Sequence, residues 1–237
     1  LTEDTLESNT LMGLQQQCMS LLEDLLRDFI RHMEEHLLSL SSRTKQATSG
    51  LNIHYEARNI VRQINSDIIE GFLSFVSEGF KNLRANEKNK ATTDNLKFDA
   101  DSLNLVAISD FEDTLAIDRM IKQGSDRHRV ALESLLIRVA SLVDVNAQEI
   151  KFPIHVAALC QKFKEIITGK GIPEPAMPDI YDFFSREFIY KLDTLYAPLN
   201  LWLAAKDIEP NLEQEIESKG SLLGQPRKKS PRLLAKS

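Results

Sequence analysis

Leu11, Leu14, Cys18, Leu21, Leu25, Phe29, Met33, Leu37 and Leu40 follow one another at intervals of three or four residues. That interval is the period of one helix face, so the run predicts an apolar stripe about eight turns long, roughly 45 Å at 1.5 Å per residue. Such a stripe needs an equally long apolar partner. The chain supplies one in Ile53, Ala57, Ile60, Ile64, Ile68, Phe72, Phe75 and Leu83, widened by Val61, Ile69, Val76 and Phe80. Only the polar stretch 41–50 separates the two runs. Two long amphipathic helices with a short polar connection predict an antiparallel hairpin over residues 1–85, with residues 1–10 frayed. The second stripe is wider than one helix covers. Its excess apolar ground, Ile60, Ile64, Ile68, Phe72 and Phe75, is the candidate interaction surface. Its partner is either the rest of the chain or another subunit.

Residues 86–102 are polar and read as a linker. Residues 103–218 read as a second helical module, and 219–237 as a disordered basic tail. The short apolar run Leu103–Ile108 has no second strand to pair with and is expected to dock on helices as an extended segment. Ser109-Asp110-Phe111-Glu112 is a capping box that predicts a helix to about Val143, interrupted near Gly124. Pro153 suits the first turn of the next helix, which buries Val156, Leu159, Cys160, Phe163 and Ile167 and ends at Gly169. After a proline-rich loop, Ile180, Phe184, Phe188, Leu192, Leu195, Leu199 and Trp202 predict one helix bent at Pro198. Pro210 is expected to open a short acidic helix.

Glycine and proline are scarce, 9 and 8 residues in 237, which argues against the many turns of a β-sandwich or barrel. The fold class expected is therefore all-α: a long hairpin packed with a C-terminal helical bundle. The formal charge is −6, yet the segment from Gln225 onward holds Arg227, Lys228, Lys229, Arg232 and Lys236 and no acid. The body is thus more acidic than the whole and a poor surface for nucleic-acid phosphates. Cys18 and Cys160 lie within apolar helical patterns and read as small buried hydrophobes of a reducing compartment. No stretch approaches the roughly 18 apolar residues of a membrane span, and no signal peptide opens the chain. The cytoplasm is the expected location. A start at Leu1 in place of Met suggests a piece of a longer protein.

Patterns that carry chemistry are few. His32-Met33-Glu34-Glu35-His36 fits His-x-x-Glu-His, which puts two imidazoles one turn apart where both can reach a zinc ion. No motif supplies a third ligand, and a solvated Glu-rich face explains the residues without metal. Zinc-dependent hydrolysis stays a minor alternative. Gly169-Lys170-Gly171 lacks the spacing of a phosphate loop. Cys160 and His155 are five residues apart and share no helix face. Glu34–Glu35 and Glu112–Asp113 are adjacent positions that point apart, so neither is an acid/base dyad. His128, in Asp126-Arg127-His128-Arg129, is expected to be exposed. Phe183, Phe184, Phe188, Tyr190, Tyr196 and Trp202 recur at helical spacing and are expected in the core. No catalytic residue, cofactor-binding residue or metal ligand is assigned, and no cofactor is expected.

Residues from about Leu103 to Leu212 resemble domain-of-unknown-function family 1631, a set of long bacterial proteins. The resemblance rests on Leu105-Val106, the run Phe111 to Met120, Phe152-Pro153, and Leu159 to Phe163. Two further stretches carry it most clearly: Leu195-Tyr196-Ala197-Pro198-Leu199-Asn200 and Ile208-Glu209-Pro210-Asn211-Leu212. The resemblance implies the N-terminal part of such a protein and transfers no catalytic motif. Some relatives carry a thymidine phosphorylase label, which no residue here supports. Proteins of this kind are also discussed beside cyclic-di-GMP signalling. Arg227 and Arg232 lack the spacing of a PilZ-type receptor, and its second motif does not follow. The leading expectation is a non-enzymatic protein-interaction or regulatory module that meets a protein partner or itself through the N-terminal hairpin. The alternative is a ligand-responsive regulator gripping a cyclic dinucleotide through Arg119, Arg127, Arg129 or Arg138.

Overall fold

A computed structural model describes residues 3–43, 52–88 and 108–223. Among them the secondary structure is helical, with no strand. Helix α1 runs Glu3–Arg43, α2 Ile53–Gln63 and α3 Asn65–Lys88. Gln15 donates to Ser77, and Asn52 donates to the Ser41 carbonyl. As position rises on α1 its partner falls on α2 and α3, so the hairpin is antiparallel, as expected. Asn52 also accepts from the Tyr55 N–H and so caps α2 while tying it to the end of α1.

Four details of the hairpin differ from the pattern. First, α1 begins at Glu3, and Glu7 is already buried, so residues 3–10 belong to the helix. Second, the deepest residues of its middle turns are Leu22 and Leu26, while Leu21 and Leu25 pack at the edge. An apolar face of adjacent leucines lets packing choose the rotation of the helix. Third, the second long helix is kinked at Ile64, between α2 and α3. The residues after the kink are Asn65-Ser66-Asp67, whose short polar side chains compete with the backbone; Ser66 bonds Asn65 there. The backbone bonds from Ile64 to Ile60 and from Ile68 to Ile64 persist, so the axis bends without unwinding. Fourth, residues 86–88 finish α3. The rest of the expected linker, and the run 103–107, lie outside the described residues.

Six further helices follow. They are α4 Ile108–Arg127, α5 Arg129–Val143, α6 Val156–Ile167, α7 Met177–Glu187, α8 Asp193–Ala204 and α9 Leu212–Lys219. Helix α4 starts one residue ahead of Ser109, which therefore lies within the first turn and not before it. The break before α5 is at His128 and not at Gly124. Gly124 serves a different purpose: a Cβ there would come within 2.5 Å of Ile189 and 2.8 Å of Val156. Gly79 of α3 likewise lets Pro153 rest on the helix backbone, with only 2.4 Å between its missing Cβ and the ring. Pro153 therefore belongs to the turn that seats α6, and His155 caps that helix.

The helix expected over 180–202 is two helices, α7 and α8, joined by a 3-10 turn at Ile189–Lys191. Pro198 sits inside α8, and the change of direction falls ten residues earlier, at Phe188. Pro210 precedes α9, which starts after Asn211 without a side-chain capping bond from it.

One apolar cluster runs through all of this. It includes Leu14, Phe29 and Met33 of α1, Ile68, Phe72 and Phe80 of α3, and Phe163, Phe184, Tyr196 and Leu199 of the later helices. Phe29 lies within 6.1 Å, ring centre to ring centre, of Phe163, Phe183, Phe184 and Phe188. The hairpin 1–85 and the helices from 108 onward thus share a core. No described helix is long and apolar enough to cross a membrane.

Candidate functional site

Helix α5 is apolar almost around its whole circumference, with Leu132, Leu135, Leu136, Ile137, Val139, Leu142 and Val143 all buried. Among them sits Arg138, fully buried at 0% exposure. A guanidinium carries five N–H donors and cannot lose its charge in a protein, so every donor needs an acceptor. Each has one. Nε donates to the Ile208 carbonyl at 3.0 Å. Nη1 donates to Asn200 Oδ1 at 2.6 Å and to Glu213 Oε1. Nη2 donates to the Glu209 carbonyl at 2.8 Å and to Glu213 Oε2 at 2.8 Å. The Glu213 contact is bidentate, the strongest geometry an arginine makes with a carboxylate. Asn200 passes the network on by donating to the Ala131 carbonyl at 2.8 Å.

The local backbone is shaped to bring these acceptors in. Asp207 and Glu209 hold positive φ, 58° and 49°, a region that non-glycine residues seldom occupy. The turn between α8 and α9 thereby aims two consecutive carbonyls, Ile208 and Glu209, at one guanidinium. Burial works to raise the Glu213 pKa, and the bonds from Arg138 outweigh it, holding the carboxyl below its ordinary value. Asn200, Ile208 and Glu209 lie in the two stretches that carry the resemblance most clearly, and each supplies an acceptor to Arg138.

A family model, described as the N-terminal domain of a protein of unknown function (DUF1631), matches residues 8–207. The chain belongs to the DUF1631 family. No curated protein and no solved structure matches it. The family match extends through the hairpin, which joins the later helices in one core, and through the stretches of the resemblance as far as Asn200; Ile208–Leu212 lies just beyond it.

Five positions along α5 from Arg138, a second charge of this DUF1631 domain is buried. The Glu133 side chain, 3% exposed, accepts from the Ser221 hydroxyl and from the Leu222 and Leu223 N–H groups. It fixes the chain beyond α9 against the body, where Leu222 joins Ile137, Leu212 and Ile216 in a small second core. Residues 219–223, expected in the basic tail, are therefore part of the folded body. The tail from 224 onward lies outside the described residues.

The surface expected on the second helix is closed. Ile64, Ile68 and Phe72 are buried, at 8%, 2% and 0% exposure, and Ile60 and Phe75 are packed partly against the core. The helices from α4 onward supply the further partner that the wide stripe required, so this ground is not left for another protein. Arg138 is likewise withdrawn from the arginines expected to rim a ligand, because all of its donors are engaged. Arg119, Arg127 and Arg129 are exposed. Arg127 is tethered, donating to the Tyr190 carbonyl and lying over that ring. His36 stacks on Phe183 with ring centres 4.6 Å apart. Among the described residues no group of three His, Cys, Asp or Glu side chains is placed to hold a metal ion.

His128 is the clearest reversal. It is 4% exposed, its Nε2–H donates to the Ile189 carbonyl at 2.8 Å, and its ring meets Tyr196 edge-on. A charged sequence neighbourhood hid it, because the arginines on either side, Arg127 and Arg129, are exposed. Burial lowers its pKa below the ordinary 6.5, against the raising pull of the carbonyl. Burial also lowers His155, whose Nδ1 must stay unprotonated to accept from the Ala157 N–H. An imidazole with a lowered folded-state pKa takes up its proton more readily when unfolded. Stability is then full above about pH 6.5 and falls as acid is added. Glu213 adds to the loss below its ordinary 4.5, because it too must be protonated against a lowered folded value. We expect the urea midpoint to fall on acidification from about pH 7.5 to about 5.5. H155N, which keeps a capping acceptor but does not titrate, is expected to flatten part of that fall; an unchanged slope would contradict the assignment.

Cys18 and Cys160 are buried and free, and burial raises both thiols to about 12. Neither is a nucleophile in this state. Both are expected to resist a colorimetric thiol reagent in the folded protein and to react together on denaturation. Labelling of either in native buffer would show an opening that the fold does not predict.

Proposed function

We propose that the chain is a non-enzymatic helical interaction or regulatory module of a cytoplasmic protein. The observation that supports it is the closure of the Arg138 network. Asn200 and the carbonyls of Ile208 and Glu209, which lie in the stretches that carry the family resemblance most clearly, are turned inward onto Arg138 and so build the architecture. What the domain offers to its surroundings is helical surface. On this reading the partner is a protein, either another one or a second copy of the chain. Nucleic acid is disfavoured by the acidic body. A regulator that grips a cyclic dinucleotide is less well supported, since Arg138 has no donor to give.

The test is reciprocal capture with the intact chain, followed by direct titration of the purified components. The hairpin cannot be deleted for this purpose because it shares one core with the later helices. The expected result is a stoichiometric complex with a protein. A chain that stays monomeric and retains no protein in either direction, or a turnover abolished by substituting an exposed polar residue, would overturn the reading.

A further inference from the structure

We propose that the cleft between α4, α6 and α7 is a binding site for a small organic cation, an aliphatic ammonium whose apolar body fills the cleft. The proposal goes beyond the interaction-module reading and does not depend on it. The cleft holds about 880 Å³, a volume that suits a small molecule. Ala116 of α4, Ile167 of α6, Ile172 of the loop that follows, and Met177 and Pro178 of α7 give it apolar walls. Tyr181, also in the lining, is the residue that points to a ligand. It is 3% exposed, yet among the described residues its hydroxyl has no hydrogen-bond partner. Its ring packs edge-on against Phe163, and Phe183 and Phe184 of the same helix pack on Phe29. Phenylalanine would serve that packing equally. The hydroxyl closes no bond within the fold, and a buried polar group without a partner costs stability.

Charge sets the sign of the ligand. Glu112, Asp113 and Glu174 line the cleft, against one ammonium, Lys164, which already donates to Thr114 Oγ1 at 3.0 Å. The excess is negative. The carboxylates are not gathered about one point, since among the described residues no group of three His, Cys, Asp or Glu is placed to hold a metal ion. Acids spread around apolar walls suit a cation carried on a hydrocarbon body. Asp113 stands beside Tyr181 without closing a hydrogen bond to it. Burial first, and then the Asp113 charge, raise the phenol's pKa, so it stays protonated at neutral pH and keeps a lone pair to offer. An ammonium seated between the two donates to the Asp113 carboxylate and to Tyr181 Oη, and supplies the partner that the hydroxyl lacks.

Isothermal titration calorimetry of the full chain with hexylammonium is the test, with hexanol and hexanoate as controls of the same length. Hexylammonium is expected to bind with a dissociation constant on the order of 0.1–1 mM, and each control roughly tenfold or more weakly. Y181F keeps the ring and removes a hydroxyl that has no bond to lose. It is expected to melt no lower than the wild type, and yet to bind the amine about fivefold more weakly. D113N, checked for fold by circular dichroism, is expected to lose about tenfold. D118N, at an exposed acid of α4 outside the cleft lining, is expected to bind as the wild type does. Hexanol that binds as well as the amine, no binding of hexylammonium, Y181F or D113N with unchanged affinity, or D118N as weak as D113N overturns the proposal. Y181F melting well below the wild type does so too, because it would show that the hydroxyl is already bonded. Each of these outcomes leaves the module reading to the capture experiment.

Discussion

Arg138→Ala is expected to destabilise the domain by about 3–5 kcal/mol, the range for removing one partner of a buried charge pair. The loss is not the strength of five hydrogen bonds, since those groups would bond to water in the unfolded chain. It arises because truncation leaves the Glu213 carboxylate, the Asn200 amide oxygen and the carbonyls of Ile208 and Glu209 without the donor they face. For a chain of this size a loss of that order lowers the melting temperature by roughly 10 °C, read by circular dichroism. Arg138→Lys is expected to rescue little. An ammonium has three donors on a point charge and cannot grip Glu213 in a fork. The turn held at positive φ by this network, Asp207–Glu209, should loosen first, which amide exchange at Ile208 and Leu212 would report. A variant as stable as the parent would mean that the network is not what holds α8 and α9 to α5.

Phe29→Ala is expected to cost a similar amount, about 3–5 kcal/mol, by a different route: lost transfer energy plus the cavity left behind. Phe29 is 2% exposed and stands on α1 amid four rings from α6, α7 and the residue after α7. The informative readout is the shape of the transition. With one core shared by the hairpin and the later helices, wild type and variant should each unfold in a single step, with coincident curves by far-UV circular dichroism and tyrosine–tryptophan fluorescence. Two steps, of which only one shifts, would show the hairpin folding as a separate unit. The sequence places residues 1–85 in a unit of their own; the shared packing of Phe29, Phe72 and Phe184 is the reason to expect one transition.

The candidate site was partly legible. Arg138 stands alone in the run Leu-Leu-Ile-Arg-Val-Ala, and a charge inside an otherwise apolar helix is a signal of a buried pair. The sequence does not say which of the many carboxylates answers it. Glu213 is 75 residues away and meets it only because α8 and α9 fold back across α5. The reading of Ile64, Ile68 and Phe72 as contact ground was right about their apolarity and wrong about who covers them. Periodicity marks a face as needing cover. It cannot distinguish cover by the same chain from cover by another.

Local chemistry determined the helices themselves. A repeat of three and four, few glycines and prolines, and polar interruptions act over one or two turns, so the all-α class and the antiparallel hairpin follow from the sequence alone. Tertiary structure decided what depends on groups far apart in the chain. It set the rotation that favours Leu22 and Leu26 over their neighbours, the burial of His128 between two exposed arginines, the enclosure of Arg138, and the exposure of Leu201 on α8. Each of these is fixed by which helix lies opposite, and that choice is made by the packing of the whole core.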